Sequence, residues 1–457
     1  MTPGRADRAF KTRGALRERS GTLALTAVAV LLVAAATLHL INRTGRFLSA
    51  APVIGPSLDL SSDPSMTAIN AMIERGDLWG AGARIGSLYR FDQPAGLTAL
   101  RSFSVLVLRR GLHEYDPYER CYASSALAAA GDRDEIAQLV KIFEGTRKLG
   151  LQMAIADGLG DVGDADAVQA LGRLYSWTDP SYRRIVVNGA AQAHDPGAIE
   201  LLSRALGAPD RTTRLTAARG LGQLGNARAI RVLKRFARAT PDAFEKATAA
   251  YSLMRLGDTS SAEIAEPILS GRVDSDARAV AALALGRARD PQMAGLLRGA
   301  MRDRDIDVRI GAAVALTHYG DRAAATYLEA AMRDEDSVTR LHVGQLLDEM
   351  DSHNAHEVLM AAVASPDSEL SLLGIRAIGL SGSVNDVEVL VGLADRTGDP
   401  IARAEVAWAL GRIGGHGCVA PLIAMVAEPD RSVRYTAADA LDRTAMRLLR
   451  SGSASGA

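Results

Sequence analysis

Five side chains that can bind a metal ion or exchange protons lie in one short stretch of the sequence: His342, Asp351, His353, His356 and Glu357. A zinc site needs three or four such ligands held on a common face. Because His353 and His356 directly precede an apolar helical pattern, we interpret them as solvated residues of a turn. The sequence therefore predicts no metal site and no cofactor.

Nucleophilic chemistry has equally little support. Cys121 and Cys418 are the two cysteines, and they stand 297 residues apart. In an extended stack of repeats that separation excludes a disulfide. Both occupy positions where other repeats carry small apolar residues, so buried thiols are expected. Since no base is positioned beside either thiol, and since GxSxG, CxxC and Walker lysine patterns are missing from the sequence, we predict no catalytic residue and no enzyme activity.

One segment is unusually basic and carries Arg228, Arg231, Lys234, Arg235 and Arg238. This spacing gathers the side chains on one side of a helix. Such a stripe is a candidate contact for an acidic protein partner, and a merely solvated helix face is the alternative. The whole chain, by contrast, has 53 basic and 53 acidic residues. This balance argues against a nucleic-acid partner, because phosphate binding needs an excess of positive charge.

The elements that must position these residues are set by an internal repeat. An aspartate recurs from Asp116 to Asp430, over 314 residues in ten steps of 31.4. In most repeats a basic residue follows four positions later. The Asp and Arg or Lys pairs are Asp116 and Arg120, Asp179 and Arg183, Asp210 and Arg214, Asp242 and Lys246, Asp274 and Arg278, Asp305 and Arg309, Asp336 and Arg340, Asp399 and Arg403, and Asp430 and Arg434.

Each period encodes two helices joined by a turn. The aspartate is expected to cap the first helix, and a glycine near the middle of the period suits the end of that helix. Apolar residues recur at helical spacing in both halves. Because two helices of this length cannot bury their apolar faces alone, neighbouring repeats must stack. The fold class predicted is all-α, a right-handed α-solenoid of about ten helical hairpins forming a curved rod.

The run from Asp399 and Arg403 to the segment 409–414, ALGRIG, resembles HEAT repeats, and it is most similar to the bacterial type found in phycobilisome lyase subunits. The resemblance covers about residues 110–450. It implies that the Asp and Arg positions form a structural ladder between neighbouring repeats, each exposed pair contributing about 0.3–0.5 kcal/mol. It also implies that the second helices line the concave face. Iron ligation of the deoxyhypusine hydroxylase kind is not expected, because the His-Glu pairs His113-Glu114 and His356-Glu357 lie between helices.

Residues 22–41 contain no charged side chain. Twenty helical residues span about 30 Å, the thickness of the hydrocarbon core. The basic residues before this segment are Arg5, Arg8, Lys11, Arg13, Arg17 and Arg19. The positive-inside rule then predicts a single-pass inner-membrane protein with a cytoplasmic N-terminus and a periplasmic repeat domain. A signal peptide cleaved near Ser49 is the alternative.

The chain therefore divides into six predicted segments. They are a basic N-terminus (1–21), a transmembrane anchor (22–41), a linker (42–65), a helical cap or degenerate repeat (66–112), the repeat solenoid (113–450) and a flexible tail (451–457). Residues 66–112 are alternatively a small separate helical segment. The function predicted from this organisation is a non-catalytic, membrane-tethered scaffold that binds protein partners. A regulatory or enzymatic subunit, lyase-like or metal-dependent, that acts on a small molecule or cofactor is the alternative.

Overall fold

The computed structural model describes residues 64–454 except 180–181, 259–260, 287, 289, 334–338, 341–342, 345, 347–355 and 382–383. All regular structure in these residues is helical, as predicted. The helices are α1 Pro64–Glu74, α2 Leu78–Phe91, α3 Gln93–Gly111, α4 Pro117–Ala130, α5 Asp134–Gly145, α6 Leu149–Val162, α7 Ala165–Trp177, α8 Arg183–Gln192, α9 Ala198–Ala205, α10 Arg211–Gln223, α11 Arg228–Ala239, α12 Ala243–Arg255, α13 Ala262–Leu269, α14 Ser275–Gly286, α15 Pro291–Ala300, α16 Ile306–Thr317, α17 Arg322–Met332, α18 His356–Val363, α19 Ser368–Ser381, α20 Val387–Arg396, α21 Pro400–Ile413, α22 Val419–Val426 and α23 Arg431–Ala454.

The first helices of the repeats form one layer and the second helices form another. Helices α4, α6, α8, α10, α12, α14 and α16 pack successively along their lengths, as do α19, α21 and α23. Neighbouring second helices touch only slightly. The first helices approach closely because small residues face each other across them. Examples are Gly222 against Ser252, Gly286 against Ala315, and Gly411 against Ala440.

The two ends of the repeat array meet, so the stack is a closed ring. The last helix, α23, packs against α3 and α4, and α2 lies beside α22. One apolar core cluster accordingly includes residues from α1 to α4 together with residues from α12 to α23. The expectation of a curved rod with separate ends was therefore wrong. Residues 66–112 close the ring, since α3 occupies the place of a further first helix.

Closure places the tightly packed first helices on the inside and the widely spaced second helices on the outside. Side chains of α6 face charged side chains of α19, α21 and α23 across the ring. The expectation that second helices line the concave face is therefore wrong for this chain. The physical reason is that the first helices are rich in glycine and alanine. They can therefore approach one another closely and form the inner, narrower circle of the ring.

The turn chemistry follows the sequence pattern. Gly131 and Gly163 lie at the C-terminal ends of α4 and α6 with φ of 114° and 61°, a backbone conformation that costs glycine little. Helix α23 continues to Ala454, so the first four residues of the predicted tail are helical. None of the described helices is long and apolar enough to cross a bilayer. The predicted N-terminus, anchor and most of the linker, residues 1–63, lie outside the described residues.

Candidate functional site

The recurring aspartates sit at the N-termini of the first helices. The carboxylates that accept a hydrogen bond from a backbone N–H two or three residues later belong to Asp116, Asp210, Asp242, Asp305, Asp367, Asp399 and Asp430. The carbonyl oxygens of Asp179 and Asp274 accept from Tyr182 and Arg278. Asp336 lies outside the described residues. Capping the helix termini uses the hydrogen-bonding capacity of these aspartates.

The ladder arginines hold the turn between repeats. Carbonyl oxygens five or six residues earlier accept hydrogen bonds from Arg120, Arg183, Arg214, Arg278, Arg309 and Arg434. Contacts to a carboxylate in the next repeat, or in the turn just before it, join Arg214 to Glu245, Arg278 to Asp303, Arg340 to Asp367, and Arg403 to Glu428. Lys246 is half-buried on α12. Neighbouring repeats are thus connected, but mostly through carboxylates other than the capping aspartates.

The basic stripe lies on α11, in the outer layer. Ala229, Leu233 and Ala237 bury the opposite face of this helix. The guanidinium groups of Arg228, Arg231, Arg235 and Arg238 belong to exposed residues. Lys234 differs, because its Nζ lies 2.6 Å from Oδ2 of Asp258. In the described part of the chain, no carboxylate pairs with the side chains of Arg231, Arg235 and Arg238.

An open groove runs along this stripe. It has a volume of about 720 Å³ and is lined by Ala227, Ile230, Arg231, Lys234, Arg235, Arg238 and Ala239. The lining of this groove is partly apolar. The Ile230 side chain and the aliphatic portions of the basic side chains contribute to it, together with the charged groups. The groove can therefore hold an acidic segment that also carries apolar groups.

The structure separates the other residues considered as chemical candidates. His356 lies at the start of α18, 3.9 Å from Oδ1 of Asp386, whereas His113 lies in the turn after α3. His342, Asp351 and His353 lie outside the described residues. Among the described residues, no group of three or more His, Cys, Asp or Glu side chains is arranged to hold a metal ion.

Both cysteines are buried free thiols, as predicted. Burial raises the pKa of Cys121 to about 12 and that of Cys418 to about 11. Thiols of such high pKa are poor nucleophiles at neutral pH. Ring closure also corrects the expectation that many repeats separate them. Cys121 lies on α4, which packs against α23, and Cys418 directly precedes α22, which packs against α23 as well.

The ring interior contains a cluster of charged side chains that the sequence did not predict. On one wall, Asp157 of α6 accepts hydrogen bonds from Asn188 and Gln192 of α8, at 2.9 and 3.1 Å. Asp161 lies one helical turn after Asp157, and it is exposed to solvent. Burial within the ring raises the pKa of Asp157 to about 6 and also raises the pKa of Asp161.

The opposite wall is rich in arginine. Arg376 of α19 and Arg412 of α21 both place their guanidinium groups over the Trp408 ring, at 5.6 and 5.9 Å from its centroid. Arg443 of α23 donates from Nε to both carboxylate oxygens of Asp439, at 2.9 and 3.0 Å. The guanidinium groups of Arg376, Arg412 and Arg443 act electrostatically on Asp161 across the interior. A spacing of 31 or 32 residues, from Asp157 to Asn188 or from Arg376 to Trp408, would have shown that these positions share one helix face.

Comparisons with known proteins agree with the helical repeats. The family profile of HEAT repeats matches residues 173–254, 263–348 and 356–442, more than half of the chain. A comparison with curated proteins finds no match. Solved structures with similar helical arrangements include the complex of CpcE and CpcF of phycocyanin lyase from Nostoc sp. PCC7120. It is 22% identical, with a TM-score of 0.36, and the match covers 47% of this chain and 89% of that one.

Two further solved structures are similar over longer parts of the chain. Human deoxyhypusine hydroxylase is 24% identical, with a TM-score of 0.27 and coverage of 61% of this chain and 95% of that one. Kap121p is 10% identical, with a TM-score of 0.30 and coverage of 83% and 52%. At these levels of similarity, no activity is transferred from any of the three.

Proposed function

Because this chain belongs to the HEAT-repeat family, we propose that it is a non-catalytic scaffold that binds an acidic protein segment across the outer face of α11. The observation that carries this proposal is the stripe of exposed arginines at 231, 235 and 238, to which the described chain supplies no carboxylate. In a chain of zero net charge, such a local excess favours a partner of opposite charge.

The side-chain type supports a protein carboxylate as the counterpart. A guanidinium group donates two parallel hydrogen bonds to a carboxylate and is less strongly hydrated than an ammonium group. From Arg228 to Arg238 the stripe covers about 15 Å of helix at 1.5 Å per residue. That length suits about three turns of an acidic helix or a short extended acidic segment.

The proposal includes the membrane tether. The uncharged segment 22–41 is long enough to cross a bilayer, and the basic residues before it favour a cytoplasmic N-terminus. The ring would then be periplasmic, and α11 would face partners in that compartment. The tether is supported by the sequence pattern of this segment.

Site-specific photo-cross-linking in intact cells tests the proposal. A photoreactive amino acid at position 235 is expected to capture a periplasmic protein through a peptide rich in Asp and Glu. Triple reversal Arg231→Glu, Arg235→Glu and Arg238→Glu, with the photoreactive group moved to position 227, should abolish the cross-link. Lys234 is left unchanged because it is paired with Asp258.

A matched control reverses three exposed arginines elsewhere, Arg302→Glu, Arg304→Glu and Arg322→Glu, and should preserve the cross-link at position 227. Complementary reversal of the captured acidic peptide to Lys should restore binding to the α11 triple variant. Capture that persists in that variant would contradict the proposed surface. Cytoplasmic partners would contradict the topology, and a stoichiometric metal or chromophore in the purified protein would contradict the non-catalytic role.

A further inference from the structure

We propose that the interior of the ring holds a small anionic molecule with a carboxylate or phosphate group, bound by Arg412 and Arg376 beside Trp408. This inference concerns the inner layer and is independent of the partner surface on α11. It rests on the position of these side chains, on the pairing of their charges and on the aromatic ring that both guanidinium groups contact.

The cluster lies on the inner side of the ring and is reachable by solvent. Asp161 and Arg412 are exposed residues, but both project from first helices, which form the inner layer. Asp161 on α6 faces Arg412 and Arg376, which lie on helices far away in the sequence. A molecule between these walls would have protein on two sides, and the reduced dielectric constant would strengthen its contacts with charges.

The arginines of this wall differ in how many hydrogen bonds and ion pairs they form. Two hydrogen bonds to Asp439 occupy Arg443, and Arg447 donates to the carbonyl oxygens of Gly411 and Arg412. Arg376 forms an ion pair with Glu405 at 3.8 Å, a distance longer than a hydrogen bond. Within the described chain, the guanidinium group of Arg412 forms neither a hydrogen bond nor an ion pair. It lies over the Trp408 ring.

Other arginines lie close to Arg412. Burial, together with the nearby charges of Arg412 and Arg443, lowers the pKa of Arg447. A guanidinium group without a counter-ion beside other arginines is unfavourable, because like charges repel one another. A bound carboxylate or phosphate would supply the missing charge.

Trp408 gives the site its geometry. Both guanidinium groups lie within 6 Å of the ring centroid, a distance at which cation–π attraction holds them in place. A guanidinium group stacked on a ring leaves its N–H edge free to donate in its own plane to an oxyanion. Arg376 and Arg412 are thus preorganised on a shared aromatic surface, and Asp161 on the other wall limits how much negative charge the site accepts.

Fluorescence titration of the full-length protein in detergent tests the inference. Trp408 is one of three tryptophans, so the substitutions Trp79→Phe and Trp177→Phe isolate its signal. Inorganic phosphate and succinate serve as probes at pH 8 and constant ionic strength. At least one of them is expected to change the Trp408 emission in a saturable manner, and the preferred probe distinguishes a phosphate from a carboxylate ligand.

Three variants assign the signal to the proposed site. Arg412→Gln should raise the apparent Kd at least about tenfold, which corresponds to the loss of one charged hydrogen bond. Asp161→Asn should lower the Kd several-fold, because it removes a negative charge that faces the anion. Arg235→Gln on the outer face should leave the Kd unchanged, so failure of the α11 proposal remains distinguishable.

Two results would overturn the inference. One is the absence of a saturable change for both probes up to about 10 mM, a weak affinity for a site with two guanidinium groups. The other is an equal Kd for the parent protein and for Arg412→Gln while both retain the same circular dichroism and Tm. Arg412→Lys, which keeps the charge and loses the planar fork, should bind with intermediate affinity and shows that a folded variant still reports on the site.

Discussion

The Nε of Arg101 donates a hydrogen bond of 3.0 Å to the carboxylate of Asp442, which lies 341 residues later in the chain. Asp442 is nearly buried, with 3% of its side chain exposed, whereas 34% of the Arg101 side chain is exposed. Nearby, Tyr435 donates to Glu114 at 2.6 Å, and Arg431 lies 3.3 Å from the same carboxylate. Polar contacts therefore join the two ends of the ring in addition to apolar packing.

Removing Arg101 should destabilise the protein more than removing an arginine from an exposed pair. Arg101→Ala leaves the carboxylate of Asp442 buried without its partner, and we expect a loss of about 2–4 kcal/mol in the free energy of unfolding. Urea unfolding followed by circular dichroism measures it. The control is Arg133→Ala, whose partner Asp164 is more exposed, and it should cost less than about 1 kcal/mol. Equal costs for the two variants would argue against a buried closure contact.

Closure of the ring should be sensitive to added volume at Gly111, the last residue of α3. A Cβ here would lie 2.6 Å from Cβ of Ala123 and 3.2 Å from the Tyr435 ring. We expect Gly111→Leu to separate α3 from α4 and α23 and to increase the radius of gyration measured by small-angle X-ray scattering. Gly145→Leu is the control, since no atom lies within 4 Å of its Cβ position. An unchanged scattering profile for Gly111→Leu would contradict the closed ring.

Close approach of the first helices predicts opposite effects for two glycines in helices. A Cβ at Gly160 would overlap with the carbonyl oxygen of Gly189 on the next first helix, so Gly160→Ala should cost about 1–3 kcal/mol. Around Gly172, in the outer layer, there is free space. Gly172→Ala should stabilise by about 0.5–1 kcal/mol through helix propensity. Thermal unfolding of both variants checks the sign, and a neutral Gly160→Ala would show that the inner helices are less tightly packed.

Stability should depend on pH through Glu119, which lies at the closure beside Arg431. Burial raises the pKa of Glu119 to about 7, with Arg431 opposing and Glu114 adding to the shift. Because the folded-state pKa exceeds the ordinary value of about 4.5, this group stabilises the fold below pH 4.5 and loses that contribution as the pH rises through 7. Glu119→Gln should therefore raise the Tm at pH 8 and flatten its dependence between pH 5 and 8. Glu263→Gln, an exposed change on α13, should leave the profile unaltered.

Charge reversal on α11 should leave the fold intact. Arg235 is exposed and has no carboxylate partner in the described chain, so Arg235→Glu is expected to change the free energy of unfolding by less than about 0.5 kcal/mol. Chemical denaturation of the purified variant measures this value. A large loss would show that the stripe has a structural role and would contradict this prediction.

The local features of this chain could be predicted from its sequence. The recurrence of aspartate from Asp116 to Asp430 predicted the helix starts, and the mid-period glycines predicted the helix ends at Gly131 and Gly163. Both depend on backbone groups within one turn of the residue itself. The basic stripe on α11 was likewise predicted as one exposed face, because helical periodicity alone groups its residues.

Three properties were decided only by the tertiary structure. They are the meeting of α23 with α3 and α4, the inward position of the first helices, and the charged cluster of Asp161, Arg376 and Arg412. Closure depends on a small rotation between neighbouring repeats that accumulates around the whole array, and no single repeat encodes the sum. The sequence by itself thus determined which segments are helices and which faces are apolar, since these follow from local periodicity. Which distant side chains face each other across the ring was decided by the accumulated packing geometry of all the repeats.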